Sequence, residues 1–186
     1  MDFVCIMGLT GSGKSTIEKL MERYGYKRSV SYTTREPQVR NGVLEQNGNE
    51  YKFVTEERFK ALVEANAIIE FEKYGDNYYG TPEPIGSDRH VAVLCIKGFK
   101  ALKEKYGDQV IGIYLKCDPK VNIGRIESRH DKEEVKKLLK RFNNDLRYAD
   151  EMEGLADLIV DASKEPNEIL RDILVYINSN RKVVNN

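Results

Sequence analysis

The chain has 186 residues, enough for one domain with a substantial core. Thirty basic and thirty acidic side chains cancel, so nothing in the composition draws the chain as a whole toward nucleic acid or an anionic membrane. No apolar stretch approaches the length of a membrane span, and the N-terminal one is too short and lacks the basic flank of a leader, so the cytoplasm is the expected compartment.

Phe3-Val4-Cys5-Ile6-Met7 is a short apolar run and reads as a strand. It enters Gly8-Leu9-Thr10-Gly11-Ser12-Gly13-Lys14-Ser15-Thr16, which meets the pattern G-x-x-x-x-G-K-[ST] at every fixed position, and a helical pattern follows from Ile17 to Tyr24. Strand, glycine-rich turn and helix are the context in which this pattern cradles phosphate. A loop with little side-chain bulk lets successive backbone N–H groups close around an anion, and the helix adds its positive end. Gly8, Thr10, Gly11, Ser12, Gly13, Lys14, Ser15 and Thr16 are therefore expected to hold the phosphates of ATP, with Lys14 on the β- and γ-phosphates and the Ser15 hydroxyl on Mg²⁺. A chance Gly/Ser turn is the competing explanation, and it does not account for the full pattern with both flanks.

Ile17, Leu20, Met21 and Tyr24 give the first helix an apolar face, and Gly25 ends it. Residues 31–48 read as irregular, broken by Pro37, Gly42 and Gly48. Tyr51 to Val54 reads as a short strand, and Thr55 as the N-cap of a helix through Glu64. Ile68 to Glu72 and Asn77 to Gly80 flank Gly75-Asp76 as a hairpin. Val91 to Ile96 and Val110 to Leu115 are continuous apolar runs, expected as strands buried on both faces, with a helix carrying Phe99, Leu102 and Tyr106 between them. Asp118-Pro119 opens a helical, very polar segment that runs to Asp150. Leu155 to Val160 is the last strand candidate, Pro166 opens a final helix, and residues 179–186 read as a loose tail. Cys5, Cys95 and Cys117 lie far apart in or beside apolar runs, which points to reduced thiols rather than a disulfide framework or zinc. Strands alternating with helices predict an α/β fold with a mainly parallel sheet.

Four further segments resemble the guanylate kinase family: Ser31-Tyr32-Thr33-Thr34-Arg35, Gly48 to Val54, Ile69-Glu70 and Asn77-Tyr78-Tyr79-Gly80-Thr81. The resemblance runs from the P-loop to about Val160. It implies the P-loop nucleoside triphosphate hydrolase-like fold, with a five-stranded parallel sheet and helices on both faces. It divides one domain, 1–186, into a core (1–30 and 91–178), an acceptor-binding region (31–81) and a lid (about 127–137). It implies transfer of the γ-phosphate of ATP to GMP or dGMP, with Mg²⁺. Arg35, Tyr51 and Tyr79 match the family's acceptor-phosphate positions, and Arg40 is assigned in place of the arginine absent at Gln38. Glu70 matches the carboxylate that takes the two adjacent guanine donors, Ser31 the contact to the base carbonyl, and Thr81 the closure of the base pocket. Arg125, Arg129 and Arg141 match the arginines that gather on the transferred phosphoryl group. Outside the family, ordinary strand packing is the favoured account of Tyr51 and Tyr79, a solvated strand face would explain Glu70, and a solvated helix the lid charges.

The chain departs from the family pattern at three places. Gln38 stands where the family has arginine, the stretch from Thr81 to Val91 is short and proline-broken so that a helix is expected to be missing, and Cys95-Ile96-Lys97 aligns with a D-x-D at a strand end. The last exchange puts a cation where a carboxylate belongs. It keeps open a related kinase acting on another phosphorylated acceptor, such as a ribosyl phosphate. A non-catalytic binding module of the same fold is a further alternative, although such modules typically lose the P-loop lysine. Partners other than the small-molecule substrate, nucleic acid and membrane included, are not expected.

Overall fold

The computed structural model describes residues 3–40, 42–84, 86, 88–129 and 132–184, with the side chains of residues 40, 129 and 181–184 outside the description. β1 (Phe3–Gly8) leads through the glycine loop to α1 (Lys14–Glu22) and the two-residue β2 (Lys27–Arg28). The region expected to be irregular contains β3 (Tyr32–Thr33), β4 (Val39–Arg40) and β5 (Val43–Leu44). β6 (Lys52–Phe53), α2 (Glu56–Glu64) and the hairpin of β7 (Ile68–Tyr74) and β8 (Asn77–Pro82) follow, and then β9 (His90–Val93). The remainder is α3 (Ile96–Tyr106), β10 (Val110–Lys116), α4 (Pro119–Arg129), α5 (Lys132–Leu146), α6 (Ala149–Leu155), β11 (Leu158–Asp161) and α7 (Pro166–Val184).

The main sheet has five strands in the order β11-β10-β1-β9-β2, and every pairing is parallel. β1 sits at its centre and all six of its residues are buried. Because side chains alternate across a strand, Phe3, Cys5 and Met7 enter one apolar cluster with Phe99, Leu102, Phe142 and Met152. Val4 and Ile6 enter the other, with Ile17, Met21, Ile113, Ile173 and Ile177. The first face is thus covered by α3, α4, α5 and α6, and the second by α1 and α7. Glu18, buried on α1, accepts from Arg28 Nε and Val93 N, each at 3.2 Å, and fastens the helix to β2 and β9. Parallel strands bring their C-terminal ends to one edge, where Gly8, Val93 and Lys116 lead into loops. Ligands bind at that edge in open α/β sheets.

A second sheet, in the order β6-β3-β8-β7, stands on its own small core of Phe59, Leu62 and Ile68, and β4 and β5 form a separate antiparallel pair. Thr55 caps α2 as expected, its hydroxyl accepting from Arg58 N at 3.2 Å.

Several boundaries differ from the sequence expectations. The apolar run from Val91 to Ile96 is a strand only to Val93. Leu94 N still donates to Ile6 O at 3.2 Å, but the Cys95 carbonyl already accepts from Phe99 N at 3.0 Å, so the chain has turned into α3 before Lys97. Ile96 is buried as a helical residue, which hydrophobicity alone does not separate from strand. Leu155 ends α6 rather than opening β11, and the last helix continues to Val184 where a loose tail was expected. The polar segment after Asp118 is helical over its described residues up to Leu146, and α6 follows from Ala149. Between Pro82 and His90 the described residues form no helix, as expected from the prolines.

Candidate active site

Three glycines shape the loop after β1. Gly8, Gly11 and Gly13 have φ of +146°, +85° and +91°, values that L side chains rarely adopt. A Cβ on Gly11 would also stand 2.7 Å from the Asn122 carbonyl, and one on Gly8 2.8 Å from Leu115 O. The loop closes on itself through Ser12 N to Leu9 O at 3.0 Å, and Gly13 opens α1 by accepting from Thr16 N. Lys14 folds back under it, its Nζ donating to Gly8 O at 2.7 Å and Leu9 O at 2.8 Å. The Lys14 pKa is lowered to about 8, chiefly by burial and next by the Arg141 guanidinium, with Asp145 opposing both. The Ser12 hydroxyl is buried without a hydrogen-bond partner among the described residues. A glycine cradle, an orphaned hydroxyl and a poised ammonium fit a phosphate chain. Ser15 and Thr16 lie exposed at the start of α1, on a hollow of about 270 Å³ that continues past Lys19 to Arg23. Among the described residues no three His, Cys, Asp or Glu side chains gather as a metal cluster. A divalent ion there would be held by Ser15 together with the phosphates.

The second group of residues is assembled by the threonines after Ser31. Thr33 Oγ1 donates to Tyr78 O and Thr34 Oγ1 accepts from Tyr78 N, both at 2.9 Å, which clamps β3 to β8. Tyr79 then meets Tyr51 edge to face at 5.7 Å between ring centroids. Arg35 lies over Tyr51 at 5.3 Å and Phe53 at 5.6 Å. Its Nη1 donates to Glu36 O at 2.8 Å, and its Nη2 pairs with Glu45 at 2.8 Å, a buried carboxylate on which sequence reasoning laid no weight. Guanidinium carries five donors, and these two contacts leave some for a further anion. Arg40 is in β4, but its side chain falls outside the described residues. Ser31 precedes β3 and its carbonyl accepts from Lys52 N at 2.8 Å.

The third group lies beside the second. Thr81 Oγ1 donates to Glu70 Oε1 at 2.7 Å across the hairpin. Burial raises the Glu70 pKa, with the Thr81 bond opposing and the Glu72 charge adding. Gly98, in the first turns of α3, leaves room for this carboxylate: a Cβ there would be 3.0 Å from Glu70 Oε1. Lys97 points elsewhere. Its ammonium pairs with Glu72 at 2.7 Å on the surface, and its charge still lowers the Glu70 pKa a little.

The arginines divide. Arg125, on α4, donates from Nη2 to Ala162 O at 3.0 Å, which ties it to the end of β11. Arg141 is exposed on α5 and close enough to act on Lys14. Arg129 ends α4, with its side chain outside the description, and residues 130 and 131 of the expected lid are also outside it. Sequence reasoning missed Asp145, whose carboxylate accepts from Thr10 at the loop. Its only signal was a place four residues after Arg141 on a helix, which puts both on one face.

Among the described residues no helix is long and apolar enough to cross a membrane. A sequence model of the family described as guanylate kinase matches residues 1–179. A guanylate kinase of Chlorobaculum tepidum is 35% identical, the match covering 77% of each chain, and one of Campylobacter jejuni is 28% identical over 91% of this chain and 86% of its own. A crystal structure of guanylate kinase from Anaplasma phagocytophilum shares the fold with a TM-score of 0.67 at 19% identity, covering 96% of this chain and 85% of that one. With the phosphate loop, the paired Arg35 and tyrosines and the Glu70–Thr81 contact in place, this chain belongs to the guanylate kinase family.

Proposed function

We propose that the chain moves the γ-phosphate of ATP to GMP or dGMP, giving ADP and GDP or dGDP. The observation that carries this reading is the Glu70–Thr81 pair. It is a carboxylate with a raised pKa, fixed by one hydroxyl and standing one strand away from the Arg35, Tyr51 and Tyr79 group. A guanine edge presents N1–H and a 2-amino group side by side, which two carboxylate oxygens accept together. Adenine offers no such pair. A base site and a phosphate site carried by one small sheet suit a nucleoside monophosphate.

In this reading residues 31–81 bind the acceptor and residues from about 127 to 137 close over the donor. Ser31 meets the base carbonyl, and Arg35, Arg40, Tyr51 and Tyr79 hold the acceptor phosphate. Gly8 to Thr16 hold the ATP phosphates. Mg²⁺, on Ser15 and the phosphates, neutralises charge when bound. Lys14, Arg125, Arg129 and Arg141 gather on the phosphoryl group in transfer, spreading its charge without covalent chemistry. No general base is required, because the acceptor phosphate is already an anion. Closure excludes water, which would otherwise compete as acceptor.

An acceptor panel with coupled detection of ADP tests this. GMP and dGMP are expected to be the best acceptors, ahead of AMP, CMP, UMP and ribose 5-phosphate, and Lys14→Ala is expected to lose at least about 100-fold in turnover. Transfer to ribose 5-phosphate above that to GMP would favour the related-kinase alternative that the missing D-x-D keeps open.

A further inference from the structure

Thr10 directs both of its donors at one atom. Its backbone N–H and its hydroxyl donate to Asp145 Oδ2, at 2.8 and 2.6 Å. Asp145 lies in the last turn of α5, 135 residues along the chain, and belongs to none of the groups assigned above. Its helix is anchored by Phe142, buried in the core between the two charged residues Arg141 and Asp145. Arg141 and Asp145 both act on Lys14, with opposite signs. A carboxylate oxygen therefore sits at the rim of the phosphate loop, takes two of its donors and offsets its cations. That is the chemistry of a phosphate oxygen.

We propose that Asp145 is a positioning residue that braces the phosphate loop by standing in for a phosphate, and that ATP must displace it to bind. The proposal rests on reading this loop as the ATP site. Two anions compete for one set of donors, so the carboxylate that orders the loop also weakens its hold on nucleotide. Displacement couples the two ends of the machinery. α5 carries Arg141 one turn before Asp145, so when the carboxylate leaves Thr10 the incoming phosphates meet Arg141 already beside Lys14. The return of the carboxylate to Thr10 then assists product release.

Asp145→Asn separates brace from competitor, because the amide oxygen still accepts from Thr10 while the charge is gone. Calorimetric titration of ATP into the wild type and this variant should show about tenfold tighter binding in the variant, the change expected from removing one like charge near the phosphates. The KM for ATP should fall with it, whereas the KM for GMP should move less than about twofold. Thr10→Val, which removes only the hydroxyl donor at 2.6 Å, should shift ATP affinity in the same direction by a smaller factor, and it serves also if Asp145→Asn does not fold. ATP affinity unchanged or weakened in both variants overturns the proposal and leaves Asp145 as a plain structural contact. Absence of ATP binding by the wild type would overturn the ATP-site reading itself, and the proposal with it.

Discussion

Glu70 is a carboxylate in a place poor in water, and its chemistry follows from that. Burial disfavours the ionised form, so its pKa stands above that of an ordinary glutamate, near 4.3. To take two donors from guanine it must be ionised. As pH falls, the KM for GMP should therefore begin to climb at a higher pH than a solvent-exposed carboxylate would allow, and Glu70→Gln should remove that limb of the profile. The same shift has a stability sign. An acid whose folded pKa is raised holds its proton more tightly in the fold than in the unfolded chain, so ionisation costs stability above the folded pKa, and that cost is relieved as pH falls through it. Glu70→Gln, which keeps an acceptor for Thr81, should raise the thermal midpoint at neutral pH while losing acceptor selectivity. A variant that is both less stable and still selective would contradict this account of the residue.

At the scale of elements, α3 shows how a helix and a site constrain one another. Gly98 costs the helix about 1 kcal/mol relative to alanine. It is tolerated because a Cβ there would press on Glu70, at 3.0 Å from Oε1 and 3.3 Å from Cδ. Gly98→Ala should therefore move two measurements in opposite senses, holding or raising the thermal midpoint while raising the KM for GMP several-fold. An unchanged KM would mean that Glu70 yields without consequence. The hairpin of β7 and β8, the capped α2 and the glycine loop were legible because their determinants are local: a turn at Gly75, a hydroxyl at Thr55, a fixed motif. β3, β4 and β5 were not, since β3 owes its existence to β8 and β6 rather than to its own two residues. The end of β9 was misjudged for the related reason that Leu94 and Ile96 are buried alike on either side of a strand-to-helix turn. Asp145 and Glu45 escaped notice because their partners, Thr10 and Arg35, are brought to them by the fold.

The whole molecule keeps its stabilising core apart from its chemistry. Ile173, fully buried on α7, packs with Val4, Ile6 and Ile113 on the sheet face turned away from Phe142 and α5. Ile173→Ala should cost about 2–5 kcal/mol in denaturant unfolding and leave the KM for GMP unchanged. A large KM change would mean that this face is coupled to the acceptor region. The opposite face, through Phe99 and Phe142, carries the helices that bear Gly98, Arg141 and Asp145.

The central claim is that Glu70 makes this chain a guanine-selective phosphotransferase, and the ratio of kcat/KM for GMP to that for AMP, measured in the wild type and in Glu70→Gln with folding verified, tests it most directly. A site built around a half-buried hydrogen-bonding carboxylate rejects the wrong base by a factor on the order of 10⁴. The wild-type ratio should approach that and collapse by at least about 100-fold in the variant. A wild-type ratio near one, or a high ratio that survives the substitution, would contradict the account.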